Sequence, residues 1–470
     1  MSTQFFIIIL YFALTIGIGM YGQRKSKSSD AFHGAGLGVL MCVAAGTGEW
    51  LGGTSTTGVS EYGYSFGISG AWYSIANAIG VMVLAVFFAK LYRSLDTVTV
   101  PGIVEKYIGV NARVVASVLL IFVMIVVGTS QVIAAGTLGV TVLGLDFCTS
   151  VIVLGMGFII YTLVGGMNAV GYTNMLHLSA MYGGVILALV LVGSDIGGMT
   201  AFKGALPAQP YYSWTGIGIP KVSSWIIASI LGACTAQAGI QPILAAKNVE
   251  VAKRAAVITA FAVAPFGILT AALGMVAKIK FPELTNAKLA LPMLMMNLQP
   301  VAGGIVLASI MAAILSTVSP IILASGTMFT KDIYQKIIRP DATDGKVLFM
   351  SRMSTGISGA ICIILALFMY GSTRILDMVY FAYTLRGSLF VVLLFAIYWK
   401  RTSPKGAIMA MVITGVVGLF WIIYKALYGQ FPIHPAITET YASVIVAFVT
   451  TIVFSFIYKD GMLYLKTLED

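Results

Sequence analysis

Apolar runs long enough to cross a lipid bilayer recur from one end of this chain to the other, and they constrain its fold more than any other feature. Thirteen segments approach or exceed the roughly 20 residues that a helix needs to traverse a hydrocarbon core of about 30 Å: 4–22, 38–58, 67–92, 113–143, 147–166, 172–193, 223–244, 254–277, 299–330, 350–370, 375–398, 405–427 and 438–458. Backbone groups in lipid are satisfied only within a helix or a closed barrel, and these runs are far too long for barrel strands. The predicted fold class is therefore an all-α membrane protein with thirteen transmembrane helices.

Composition leaves no room for a water-soluble alternative. With 59% hydrophobic and 10% charged residues in 470, the chain has too little polar surface to coat a soluble globule, so membrane lipid is its expected surround. The formal charge of +11 has an explanation at the membrane, where basic loops set topology and meet anionic head groups. Nucleic-acid binding would need a basic face on a soluble domain, and none is visible in the pattern.

The first run follows Met1–Gln4, which carries no positive charge, and precedes Arg24, Lys25 and Lys27. It is therefore expected to be a retained helix with its N-terminus outside, not a cleaved signal. On that register, twenty of the 28 basic residues fall at loops after odd-numbered spans and seven at loops after even-numbered ones. The bias predicts a multi-pass cell-membrane protein with a cytoplasmic C-terminus. Arg386 alone lies deep in a span.

The whole of 1–470 reads as a single transmembrane domain. Its longest polar stretches, 194–222 and 331–349, are too short to carry a core of their own. Cys42, Cys148, Cys234 and Cys362 lie in or beside apolar runs and read as small core residues. His33, His177 and His434 are too scattered to form a ligand cluster. No HExxH, diphosphate or Ser-His-Asp pattern marks an enzyme.

The second run is interrupted by a stretch rich in glycine and hydroxyl residues, Ala44-Ala45-Gly46-Thr47-Gly48-Glu49-Trp50-Leu51-Gly52-Gly53-Thr54-Ser55-Thr56-Thr57-Gly58. Such a composition favours a helix that unwinds and exposes carbonyls. A second interruption, Gly232 to Pro242, lies in the seventh run. Small residues also permit tight helix packing, but breaks at matching places in two halves point to a midplane site. In the ninth run, Ser316 and Thr317 supply adjacent hydroxyls, and Pro320 cannot donate into the preceding turn. Oxygen ligands without thiolate or imidazole suit a hard cation.

The stretch from Leu307 to Tyr334, LASIMAAILSTVSPIILASGTMFTKDIY, resembles the signature of the sodium:solute symporter family. YTLVGG at 161–166, AAKNVEVAKRA at 245–255 and YWKRTSPKGA at 398–407 extend the resemblance over essentially the whole chain. It implies a leucine-transporter-like 5+5 inverted repeat with one extra N-terminal helix. The extra helix would be 4–22, repeat one about 38–193, repeat two about 223–398, and the C-terminal helices 405–458. It also implies a Na⁺ site made by the carbonyls of Gly48, Leu51 and Ala313 and the hydroxyls of Ser316 and Thr317. Some members hold a second Na⁺ with an aspartate and a further serine. This chain has Asn174 and Pro320 at those places, so one Na⁺ per cycle is expected.

The solute is less constrained. Trp50-Leu51-Gly52-Gly53, with Gly58 and Glu61, is similar to the choline-transporter branch, whose tryptophan helps cage a quaternary ammonium. The chain departs from that branch near Ala236, where a further ring of the cage would fall. Glu49, an acid within a span, is expected to bind an amine, carry a proton, or pair with Arg386. Arg386 could instead read a carboxylate through its planar fork. Gly53, Thr54 and Gln237 complete the expected solute lining with Glu49, Trp50 and Arg386. Tyr62, Tyr64, Phe66, Trp72 and Tyr73 read as an interfacial belt or as an outer gate.

The predicted function is a sodium-coupled symporter that imports a small organic solute, an amine, betaine or amino acid, by alternating access with one Na⁺. Alternatives are proton coupling through Glu49 and import of a small carboxylate. No obligate protein partner is implied.

Overall fold

The computed structural model describes residues 3–23, 36–371 and 373–458, apart from the side chains of 21–23 and 164–169. Arg24, Lys25, Lys27, His33, Lys459 and Lys466 lie outside the described residues. The helices are α1 Thr3–Gln23, α2 Val39–Trp50, α3 Val59–Phe66, α4 Trp72–Val83, α5 Ala89–Ser94, α6 Val100–Ile108, α7 Val110–Leu143, α8 Phe147–Asp195, α9 Gly198–Gly204, α10 Ala208–Tyr211, α11 Ile219–Ala233, α12 Gln237–Leu244, α13 Val249–Lys280, α14 Ala290–Met296, α15 Pro300–Met328, α16 Asp344–Met369, α17 Ile375–Tyr398, α18 Pro404–Tyr428 and α19 Glu439–Ile457. Wide π turns at Thr54–Gly58, Leu84–Phe88 and Phe329–Ile338 join or extend these helices. The described residues contain no strand, only an isolated bridge between Leu37 and Ala246.

Eleven of these helical stretches are long and apolar enough to cross a membrane, so length and hydropathy alone do not reach thirteen. One physical reason is that the second expected span is broken after Trp50, which leaves α2 only 12 residues long; the expected span 147–166 lies within the longer helix Phe147–Asp195. The second span also runs further than its predicted end at 58, because α3 carries it on to Phe66.

The expected spans 147–166 and 172–193 are the two arms of α8. The Tyr161 hydroxyl donates to Thr173 Oγ1 twelve residues on, a separation of about 18 Å along a straight helix. Adjacent Tyr11 and Phe12 of α1 likewise meet His177 and Phe158. The segment therefore doubles back on itself.

Close packing brings the broken helix against α13. A Cβ at Gly63 would lie 2.3 Å from the Ala271 carbonyl oxygen, and one at Gly274 would lie 2.2 Å from that of Ser60. Only glycine permits this approach. α15 occupies the centre and is buried from Val306 to Met328, as expected of a helix apolar all round.

Loops gather at two ends of the bundle. At one, Leu37 N donates to the Ala245 carbonyl (2.9 Å), Arg93 Nε to that of Ala246 (2.7 Å), and Arg113 Nε to Asp332 Oδ1 (2.8 Å). At the other, Tyr62 Oη and Lys221 Nζ donate to Asp377 Oδ1 (2.7 and 2.9 Å), and Lys288 Nζ reaches the Tyr370 carbonyl.

Candidate functional site

α2 ends because its glycine-rich tail cannot hold a regular helix, and Leu51 leaves it at φ −107°, ψ 59°. Its carbonyl is thereby turned off the helix axis. The break is shorter than the composition predicted. Thr54–Gly58 rewinds as a π turn, anchored by donation from Thr56 N (3.0 Å), Ser55 Oγ (2.9 Å) and Thr56 Oγ1 (3.0 Å) to the Gly52 carbonyl. The second break falls between α11 and α12 at Cys234–Ala236, inside the predicted interruption.

Four of the five expected sodium ligands, Gly48, Ala313, Ser316 and Thr317, meet in one buried cluster, and the fifth, Leu51, is buried next to Gly52 in the chain. The Thr317 hydroxyl donates to the Gly48 carbonyl, which joins the broken helix to α15. Ser316 Oγ donates to the Ala313 carbonyl (2.8 Å), and Thr317 Oγ1 contacts the same oxygen at 3.3 Å. A Cβ on Gly52 would meet Thr317 Oγ1 at 2.2 Å, so the backbone just after Leu51 passes directly over this group. The donor set is neutral, hard oxygen from carbonyls and hydroxyls, which fits Na⁺.

Asn174 completes the cluster for a reason that lies in Pro320. α15 stays helical through this proline, but Pro320 has no N–H, so the Ser316 carbonyl loses its usual partner four residues on. Asn174 Nδ2 supplies the missing bond at 3.1 Å. The same amide nitrogen lies 2.3 Å from where a Gly48 Cβ would stand. A carboxylate here could not donate.

The second cluster is built on charge. Glu49 Oε1 and Arg386 Nη1 are 3.4 Å apart, with no exposed side-chain surface on either residue. Glu49 Oε2 and Arg386 Nε and Nη2 have no hydrogen-bond partner, and buried polar atoms in that condition are uncommon. The guanidinium lies 3.7 Å from the Tyr383 ring centre and 5.2 Å from that of Trp50. Trp50 therefore faces the protein's own cation in this conformation. Gly239 and Gly232 give this pair room, since a Cβ would lie 3.1 Å from the Trp50 ring and 3.0 Å from Arg386 Nε respectively.

The remaining expected solute residues divide. Gly53 and Thr54 face Gln131, whose Nε2 reaches Thr54 Oγ1 at 2.5 Å and whose Oε1 has no partner. Gln237 lies on α12 beside the second break, but both ends of its amide are engaged. Its Oε1 accepts from Val100 N (2.7 Å) and its Nε2 donates to the Val98 carbonyl (3.2 Å).

Tyr62, Tyr64 and Tyr73 are buried and so do not form an interfacial belt. Tyr73 and Tyr383 share a hydroxyl bond of 3.0 Å, and Trp225 stacks on Tyr380 with ring centres 4.3 Å apart. These rings lie between the Lys221–Asp377 end of the bundle and the Glu49–Arg386 pair. Sequence reasoning passed over Gln131, Tyr380 and Tyr383. The spacing Tyr380, Tyr383, Arg386 was a usable signal, because residues three apart share a helix face.

At the opposite end, Arg113 donates to Glu105 as well as Asp332, and Lys336 Nζ lies 2.8 Å from Glu105 Oε1. Burial acts to raise the Glu105 carboxyl, but hydrogen bonds from Lys336 and Arg113 overcome it and hold the group below the usual carboxylate range.

The pattern of the sodium:solute symporter family matches residues 32–415. The sodium/glucose cotransporter of Vibrio parahaemolyticus is 26% identical over 94% of this chain and 89% of its own length. The osmoregulated proline transporter OpuE of Bacillus subtilis (strain 168) is 24% identical over 96% of each. The structure of a Na⁺-coupled sialic acid symporter, substrate-bound and outward-open, superposes with a TM-score of 0.82 at 16% identity, covering 99% of this chain and 100% of the other. That likeness shows a leucine-transporter-like fold.

Proposed function

The chain belongs to the sodium:solute symporter family, and on that premise we propose that it imports a small zwitterionic solute, of amino-acid or betaine type, together with one Na⁺. It is a multi-pass membrane protein of a transporter family, with Na⁺ as the coupling ion. The observation that carries the zwitterionic class of solute is the pair Glu49–Arg386, buried beside a helix break with three polar atoms unpartnered. The carboxylate of such a solute would accept from the Arg386 nitrogens, and its cationic nitrogen would face Glu49, by N–H donation in an amino acid and by charge alone in a betaine. Proline transport by a relative agrees with this class.

Gly48, Leu51, Ala313, Ser316 and Thr317 would hold the ion. The hydroxyls of Ser316 and Thr317 now donate to carbonyls of the same set. Binding Na⁺ requires those hydrogens to swing away, so that every oxygen presents a lone pair. Occupancy would thus replace hydrogen bonds across the Gly48–Thr317 seam with ion contacts, and bias the distance between the broken helix and α15. Ion and solute are coupled if both stabilise the same arrangement, and this linkage is reciprocal.

Contacts between loops support thirteen crossings. The turns before α6 and after α12 share one end of the bundle through Arg93 and Ala246. An even number of crossings must separate them, as is obtained when the arms of α8 count as two. Gln4 of α1 packs against Gly304 at the start of α15, and Ser455 near the end of α19 accepts from Ser403 N (3.1 Å). An N-terminus outside and a cytoplasmic C-terminus follow from adding the positive-inside bias. The breaks at Leu51–Gly53 and Cys234–Ala236 support repeats at about 38–193 and 223–398.

The testing experiment is a thermal-shift screen of purified protein in Na⁺ against K⁺, with amino acids, betaines, amines and carboxylates. A zwitterion that stabilises only in Na⁺ is the expected result. A response to simple amines or carboxylates alone would overturn the proposed class.

A further inference from the structure

Leaving α5, the chain enters α6 through Val98, Thr99 and Val100, three consecutive residues bonded to two other helical segments. Val98 O and Val100 N are both held by the amide of Gln237 on α12. The opposite donor–acceptor pairing fixes the orientation of that amide, since its oxygen must face an N–H and its nitrogen a carbonyl. Thr99, between them, points its hydroxyl the other way and donates to Asp332 Oδ1 at 2.7 Å. Asp332 lies on the π-helical extension of α15 and is fully buried. Arg113 Nε donates to the same carboxylate oxygen at 2.8 Å.

Each attachment leads to one of the two clusters described above. On α12, Gly239 is two residues from Gln237 and packs on Trp50 and Glu49. Just before it, Thr235 Oγ1 donates to the Arg386 carbonyl at 2.6 Å. On α15, Asp332 is fifteen residues beyond Thr317, about 22 Å along an uninterrupted helical path. A rigid helix carries a displacement over that distance without needing a chain of side-chain rearrangements.

The segment also forms the wall of a cavity. A polar space of about 720 Å³ at this end of the bundle is lined by Thr97, Val98, Glu105, Arg113, Leu244 and Lys336 among others. Glu49, Arg386, Ser316 and Thr317 are all buried, so neither cluster communicates with that space in this conformation.

We propose that Val98–Val100 is an interlock between the solute-side and sodium-side helices, with Gln237, Thr99 and Asp332 as positioning residues. The site opens toward the cavity only when the strap is released at both attachments. Movement of α12 alone leaves the strap held by Asp332, and movement of α15 alone leaves it held by Gln237. The interlock therefore makes inward opening conditional on the occupancy of both clusters, which keeps Na⁺ from crossing without solute. It rests on the sodium-coupled reading and goes beyond it, because it assigns coupling to residues that touch neither ion nor solute.

The test separates Na⁺ binding from Na⁺ leak. Full-length protein in sealed proteoliposomes is loaded with radioactive sodium and its solute-free efflux followed, while Na⁺ binding is read from the Na⁺-dependent thermal shift. Gln237→Met removes both backbone bonds at similar volume, and Thr99→Val removes the bond to Asp332. Thr99→Ser retains the hydroxyl that also caps Gly102 N at 3.1 Å. Gln237→Met, which frees the solute-side attachment, should leak at least about fivefold faster than the parent, the lower end of typical coupling free energies, with the Na⁺ shift retained, whereas Thr99→Val, still held at Gln237, and Thr99→Ser should stay at parental leak. Parental leak in Gln237→Met, with the shift intact or lost, or a leak in Thr99→Val as fast as that of Gln237→Met, would overturn the interlock. Absence of a Na⁺ shift in the parent would overturn the ion-site reading itself, and the interlock with it.

Discussion

Arg386 Nη1 lies 3.4 Å from Glu49 Oε1 in a pair without any exposed side-chain surface, joining a break in one helix to the middle of another. Removing one partner of a buried pair strands the other charge, whereas replacing both with apolar groups can be close to neutral.

Glu49→Leu and Arg386→Met, made singly, should each destabilise the protein by about 3–5 kcal/mol, and the double variant should recover most of that loss. All three should lose the Na⁺-dependent response to the solute that stabilises the parent. Thermal unfolding with and without that solute checks both parts. A double variant that still transports with parental affinity would reduce the pair to a structural brace.

Ser316→Ala and Thr317→Ala each delete one oxygen from the proposed ion cluster. With hydrogen bonds to charged groups worth about 1.5–3 kcal/mol, the Na⁺ concentration for half-maximal uptake should rise by at least about tenfold, 1.4 kcal/mol per decade. A Na⁺ titration of uptake is the measurement, and unchanged Na⁺ activation in both variants would remove these residues from the site.

Asn174→Leu leaves the Ser316 carbonyl buried without a donor, at a cost of about 1–3 kcal/mol. Na⁺ affinity should fall while the fold is retained. The ratio of Na⁺ to solute flux in the parent should be close to one. A measured ratio of two would contradict the reading of Asn174 as a donor that stands in place of a ligand.

Gly48→Ala should abolish Na⁺ stabilisation, because the new methyl would stand 2.3 Å from Asn174 Nδ2 and 2.6 Å from the Ser316 carbonyl oxygen. Gly157→Ala is the control. Nothing lies within 4 Å of its Cβ, and alanine within a helix is favoured over glycine by about 0.5–1 kcal/mol. Equal Na⁺ responses in the two variants would rule out the close approach at Gly48 as a requirement of the site.

Much of this architecture was legible because a bilayer tests segments one at a time. Each run of apolar residues must satisfy its own backbone, so spans, breaks and loop charge could be read locally. The ends were less so. The second span continues to Phe66 because α3 packs through Gly63 on α13, a tertiary contact that no local pattern announces. The expected role of Gln237 in lining the solute site was drawn from its place in a broken helix. Its amide instead meets Val98 and Val100, residues more than 130 positions away in the chain.

Sequence alone determined that this is an all-helical membrane chain with two interrupted helices, and it singled out the adjacent hydroxyls of Ser316 and Thr317, while Gly48 came only with the family resemblance. The breaks and the hydroxyl pair follow from local chemistry: hydropathy, glycine content, and the missing N–H of Pro320. Tertiary structure decided which donors meet. The pairing of Glu49 with Arg386, of Asn174 with Ser316, and of Thr99 with Asp332 joins residues 337, 142 and 233 positions apart. Such pairings depend on how helices stack, which is set by the summed packing of many side chains and is carried by no single segment.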